Sequence, residues 1–84
     1  MNVFGRLLSV EGDAARYAWE GTNAPSDTGV VLISVDAWSV ESHSPGARLH
    51  PDGAAVGAVR LVLKSRRLRA TTGEWPATVL VVSH

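Results

Sequence analysis

The hydrophobic pattern divides the chain into short runs separated by clusters of turn-forming residues. Positions 2–10 mix two periods. Val3, Phe4, Leu7 and Leu8 fit a helical stripe, whereas Phe4, Leu8 and Val10 share one face of a strand. Gly5 is costly inside a helix, and the β-branched Val3 and Val10 favour extended backbone, so the segment reads as a strand. Glu11-Gly12-Asp13 is a short turn. From Ala14 to Glu20, Ala15, Tyr17 and Trp19 alternate with Arg16, Ala18 and Glu20, the period of a strand. The glycine-containing loop between the two segments suits a β-hairpin.

Residues 21–29 are rich in Gly, Thr, Asn, Pro, Ser and Asp and read as a solvated loop. Val30 to Val35 is a nearly continuous apolar run, as expected of a strand covered on both faces. Alternation then continues through Trp38 and Val40, so this strand is expected to begin in the core and end half exposed. Ser42-His43-Ser44-Pro45-Gly46 and His50-Pro51-Asp52-Gly53 mark a second loop, with Asp52 a candidate helix N-cap.

Residues 54–69 decide the fold class. Arg60, Lys64 and Arg67 recur at i, i+4 and i+7, with Ala55, Val56, Val59, Val62 and Leu63 on the opposite side. Basic residues in the final turns suit the negative end of a helix. Gly57 and the valines weaken a helix, and Val59, Leu61 and Leu63 alternate as a strand would. The helical stripe prevails. Gly73 is the expected stop, and Ala77–Val82 forms a final strand, apolar on both faces like the first run. The fold expected is therefore α+β: a small antiparallel sheet in the order β-β-β-α-β with one helix packed on a face. A small all-β barrel or sandwich is the alternative. Val31, Leu32, Ile33, Val79, Leu80 and Val81 are the expected core.

Length makes this a single domain, residues 1–84. Such a chain buries only about 60–65% of the surface that its unfolded form exposes, which leaves a thin margin of stability. The sequence has no cysteine, which excludes disulfides and thiolate zinc sites as reinforcement. Good packing or self-association is left to supply the margin. No apolar run reaches the roughly 18–20 residues of a membrane span, and the first residues carry no basic leader before an apolar stretch. Those features point to a cytoplasmic protein with no membrane partner. Seven arginines face a single lysine, and Ala, Val and Gly are abundant, which fits GC-rich coding in a bacterium or its phage.

Formal charge is zero overall but unevenly spread. Residues 1–52 hold seven acids and three bases, a net −4, whereas residues 53–84 hold one acid and five bases, a net +4. Either the halves attract one another, within or between subunits, or the basic segment meets an acidic partner.

The candidate chemistry is sparse. The basic residues Arg60, Lys64, Arg66, Arg67 and Arg69 could contact phosphates or another protein. No aromatic residue is interleaved with the cluster at 64–69, which argues against base stacking. His43, His50 and His84 show none of the spacings of a metal site, and no nucleophile elbow or phosphate-binding glycine loop occurs. The expectation is no catalytic residue, no metal and no cofactor. Trp19, Trp38 and Trp75 are core anchors by default. Trp38, on the half-exposed end of its strand, and Trp75, at an element boundary, are also candidate interface anchors. The function expected is a non-catalytic binding or regulatory domain that acts through protein contacts and forms a homo-oligomer. The alternative is a nucleic-acid-binding accessory protein using residues 64–69. A small enzyme or ligand carrier with a hidden site is the third reading.

Overall fold

The computed structural model describes residues 2–22 and 24–82. The chain runs β1 (Val3–Glu11), β2 (Ala14–Gly21), β3 (Ala24–Ile33), β4 (Trp38–His43), α1 (Val56–Thr72) and β5 (Thr78–Val81). All five strands form one antiparallel sheet in the order β4-β3-β2-β1-β5. The first four strands are a meander. The helix then carries the chain from the β4 edge to the β5 edge, packing across one face on the way. The result is the α+β architecture that the pattern predicts, with one strand more before the helix. The all-β alternative does not hold.

That extra strand comes from residues 30–41, which are two strands joined by a turn and not a single long one. Ser34 closes the turn: its N–H donates to the Ala37 carbonyl at 2.8 Å, and its Oγ accepts from the Ala37 N–H at 3.0 Å. Such side-chain bonds to nearby backbone are what favour Ser in turns. The register places Ile33 opposite Trp38 and Val31 opposite Val40. Apolar residues thus keep the same face on both sides of the turn, and the alternation runs on in phase. On the other flank, β3 begins at Ala24, inside the segment expected to be loop. Thr28 pairs with Glu20 and Gly29 with Trp19, so backbone pairing there proceeds without large apolar side chains.

The helix covers only one face of the sheet. Val3, Gly5, Ala15, Tyr17, Trp19, Val31, Ile33 and Val79 point toward it and are buried. Leu32 is half-buried on the other face and Leu80 is 48% exposed there. The expectation that both apolar runs are covered on both faces is therefore corrected: five strands are faced by one helix, which cannot form two layers.

The buried side of the helix is also rotated from the expected one. Gly57, Ala58, Leu61, Val62 and Ser65 face the sheet, while Leu63 is 64% exposed. Close approach explains the choice of small residues. A Cβ on Gly57 would stand 2.6 Å from the Trp19 ring, and one on Gly5 would collide with the Leu61 side chain. The helix start has no side-chain cap. Ala55 occupies the N-cap, while Asp52, the expected cap, accepts the Ala54 N–H at 3.0 Å instead. The Arg48 carbonyl takes the Val56 N–H at 2.9 Å, so a loop backbone group does part of the capping. At the other end Gly73 adopts φ 83° and donates to the Arg69 carbonyl at 2.8 Å, as the sequence predicts.

Two neighbours in β3 should therefore respond differently to truncation. Ile33→Ala should cost about 2–5 kcal/mol, because a fully buried side chain leaves a cavity. Leu32→Ala, on the open face, should cost about 1 kcal/mol. Urea denaturation of both variants tests this, and equal losses would contradict the one-sided core.

Candidate functional site

Two places remain after the core is accounted for: the open face of the sheet and the C-terminal end of the helix. The strand register orders the open face into rows. Leu80, Phe4, Glu20 and Thr28 lie side by side in one row. Thr78, Arg6, Ala18, Val30 and Ser42 form the next. Ser9, Arg16, Leu32 and Ser39 form the third. A concavity of about 430 Å³ sits over the first two rows, and Ser44 and His43 complete its rim. Leu8, the extra residue of a bulge between Leu7 and Ser9, is 47% exposed.

Charge on this face is partly fixed. The Arg16 guanidinium forks onto Glu41, with Nε and Nη2 donating to the two carboxylate oxygens, and Nη1 donates to Ser9 Oγ at 3.2 Å. The hydrogen bond from Arg16 holds the Glu41 carboxyl below its usual range, and Glu41 in turn raises Arg16. Arg6 and Glu20 remain exposed in adjacent rows.

At the other place, the helix ends over the edge of the core. Tyr17 is fully buried, and its hydroxyl donates to the Pro76 carbonyl. Its ring meets Trp75 edge-on, with centroids 6.5 Å apart and planes at 66°. Arg69 lies over the Trp75 ring, 5.8 Å from the centroid. Arg66 Nε donates to the Ser34 carbonyl at 3.0 Å, tying the helix to the β3–β4 turn. Lys64 Nζ donates to the Leu80 carbonyl at 2.6 Å, on the β5 edge.

The residues singled out from sequence fall accordingly. Arg66, Arg67 and Arg69 come together around a pocket with Val35, Ala70 and Trp75. Lys64 and Arg60 are on the helix but outside it. Trp75 is 9% exposed and belongs to the core, so it is no exposed anchor. Trp38 is half-buried against the core at the β4 edge. Ion pairs join Arg16 to Glu11 and Glu41, Arg48 to Asp27, and His50 to Asp52, all within residues 1–52. Hydrogen bonding from Ala54 N–H, with help from His50, holds Asp52 below the usual carboxylate range.

His43 contacts the Ser44 carbonyl through Nδ1, and His84 lies outside the described residues. No group of three metal-ligating side chains occurs among the described residues. No helix among them is long and apolar enough to cross a membrane. Sequence reasoning missed the open face, with Phe4, Ala18, Val30 and Leu80 across it. The signal was present as period-two alternation in β1 and β2, but the continuous runs in β3 and β5 hid it. Comparison with known families, curated proteins and solved structures returns no match.

Burial pushes the Tyr17 phenol up to about 12. The folded state therefore holds this proton after the unfolded chain, near pH 10, has lost it. The contribution of Tyr17 to stability should be flat below about pH 10 and fall by about 1.4 kcal/mol per pH unit between there and about pH 12. Denaturation curves across that range, compared with Tyr17→Phe, isolate the effect. An identical alkaline loss in the variant would show that Tyr17 is not its source.

Proposed function

We propose that this chain is a non-catalytic binding domain that self-associates through the open face of its sheet. The observation that carries the reading is the one-sided core: Phe4, Ala18, Val30, Leu32 and Leu80 lie on a sheet face that no element among the described residues covers. Single exposed apolar residues are ordinary, whereas a contiguous group on a flat element marks an interaction surface.

Three features favour a second copy as the occupant. The two longer dimensions of the molecule are 33 and 24 Å, close to a ten-residue strand and five strands abreast. A face of that size offers on the order of 800 Å², the contribution of each partner to a standard-size interface. Arg6 and Glu20 are diagonal neighbours on adjacent strands, so a two-fold axis lying in the plane between two stacked faces can set each against the opposite charge of the other subunit. Finally, a domain this small and free of disulfides gains from subunit burial. Face-to-face stacking is preferred over edge pairing because β5 has only four residues and Lys64 occupies its Leu80 carbonyl.

Nucleic-acid binding through residues 64–69 is the weaker reading. Lys64 is bonded to the Leu80 carbonyl, and Trp75 is buried and not offered to a base for stacking.

Sedimentation equilibrium tests the proposal. The wild type should give twice the 8.9 kDa chain mass at micromolar concentration. Leu80→Glu or Val30→Lys should give the monomer mass with an unchanged helical spectrum. Leu63→Glu, on the solvent side of the helix, should leave the dimer intact. A wild-type monomer, or a dimer indifferent to both face substitutions, would sink the reading.

A further inference from the structure

The pocket at the C-terminal end of α1 has a composition that the fold does not require. Its volume is about 370 Å³, and its walls are Val35, Arg66, Arg67, Arg69, Ala70 and Trp75. That volume lies in the range of roughly 300–1,000 Å³ typical of small-ligand sites. Cations near a helix C-terminus complement the dipole, but that end carries only about half a negative charge. Three guanidiniums exceed it several-fold. Among the described residues no carboxylate reaches any of the three, although Arg16 and Arg48 both find one. Asp36 and Glu74 flank the region in sequence. Asp36 instead accepts from the Ser34 hydroxyl at 3.3 Å, and Glu74 is exposed and makes no ion pair among the described residues.

A second, independent observation points the same way. Among the described residues four buried side-chain polar atoms have no hydrogen-bond partner: Trp19 Nε1 and Ser65 Oγ lie in the core, and the other two are Arg66 Nη2 and Trp75 Nε1. Arg66 and Trp75 both line the pocket. An orphaned buried donor costs about 1–3 kcal/mol, more when charged, so an acceptor reaching these two groups would recover that cost. The remaining bonds leave capacity for one. Arg66 uses Nε on Ser34, Arg69 stacks on Trp75 without spending its in-plane N–H groups, and Arg67 is exposed at the mouth. The floor and wall formed by Trp75, Val35 and Ala70 are apolar, and Val35 is 59% exposed there.

We propose that this pocket binds a small ligand carrying a phosphate-type oxyanion on an apolar body. The guanidinium forks of Arg66, Arg67 and Arg69 match the oxygens of such a group. The body rests against Trp75, Val35 and Ala70. The proposal is independent of self-association, since the pocket lies at the helix side of the sheet and the open face is the other side.

Phenyl phosphate is the probe, followed through the three indole N–H resonances of the ¹⁵N-labelled protein, assigned with Trp75→Phe. The expected result is a saturable shift of the Trp75 resonance with Trp19 unmoved. Inorganic phosphate, which lacks the apolar body, should bind at least about tenfold more weakly, and phenol, which lacks the charge, should not shift the resonance. Arg67→Glu should weaken phenyl phosphate by at least about tenfold. Arg67 is exposed, so this variant keeps its fold, and unchanged Trp19 and Trp38 resonances verify that. A short oligothymidylate distinguishes the source of the phosphate. Its competition with phenyl phosphate at the Trp75 resonance supports the same site. Oligothymidylate binding without any phenyl phosphate binding would overturn the pocket in favour of a surface track. Absence of a shift, failure to saturate, or equal affinity in Arg67→Glu would also overturn it.

Discussion

The close approach of α1 to the sheet at Trp19 is the constraint on which the rest of the structure depends. The indole is wedged beneath Gly57 and beside Gly29, and a side chain at either position would enter its ring. A single helix can cover the face of five strands only if it lies low enough for Leu61 and Val62 to reach the sheet. Glycine at 57 and at 5 makes that depth available, at the cost of helix propensity and strand entropy. The low helix also brings its C-terminal end down onto Tyr17 and Trp75. Tyr17 then ties the segment after the helix in place through Pro76. From one steric fit follow the buried phenol, the one-sided core and the gathering of arginines at one end.

Much of this was legible from residue pattern, and the failures share a physical cause. β1 and β2 alternate because one face meets the helix and the other meets solvent. Gly73 marked the helix end because a left-handed residue was needed there. The β3–β4 hairpin was hidden because Ile33 and Trp38 are paired and face the same way, so the alternation does not change phase. Only Ser34 and Asp36 betrayed the turn. In the helix, the Arg60–Lys64–Arg67 stripe correctly implied a helix, but the face was misplaced. Gly57, Ala58 and Ser65 do not read as core, yet depth of packing selects small residues over Leu63. The grouping of Arg66, Arg67, Arg69 and Trp75 was half visible. Their nearness in sequence was plain, whereas Val35 arrives only through the hidden hairpin.

Both candidate surfaces follow from what the helix does and does not cover. Where it lies on the sheet, polar groups are few and glycine sets the spacing. On the face behind it, apolar and charged residues alternate in rows, and Arg16 and Glu41 are already matched across three strands. At its end, guanidiniums crowd around an aromatic floor, and among the described residues no acid pairs with them. The charge asymmetry between the two parts of the chain is therefore expressed as geography, with most acids and their ion pairs in the first 52 residues and the guanidiniums of Arg66, Arg67 and Arg69 gathered at the helix end.

The route of the chain has a kinetic corollary. The turns between β1 and β2 and between β3 and β4 close over a few residues, as Glu11 opposite Ala14 illustrates. By contrast β5 meets β1 across 72 residues at Arg6–Thr78 and 78 at Val3–Val81. Loop closure of that span costs about 3 kcal/mol more than the tight hairpin. The meander is thus able to assemble from local contacts, while the helix and β5 can dock only once it exists. Trp75, Pro76 and the arginine end belong to this late unit. The amide protons of Trp75 and of the arginine-bearing helix end should exchange through openings smaller than global unfolding, and a ligand held there would close that opening.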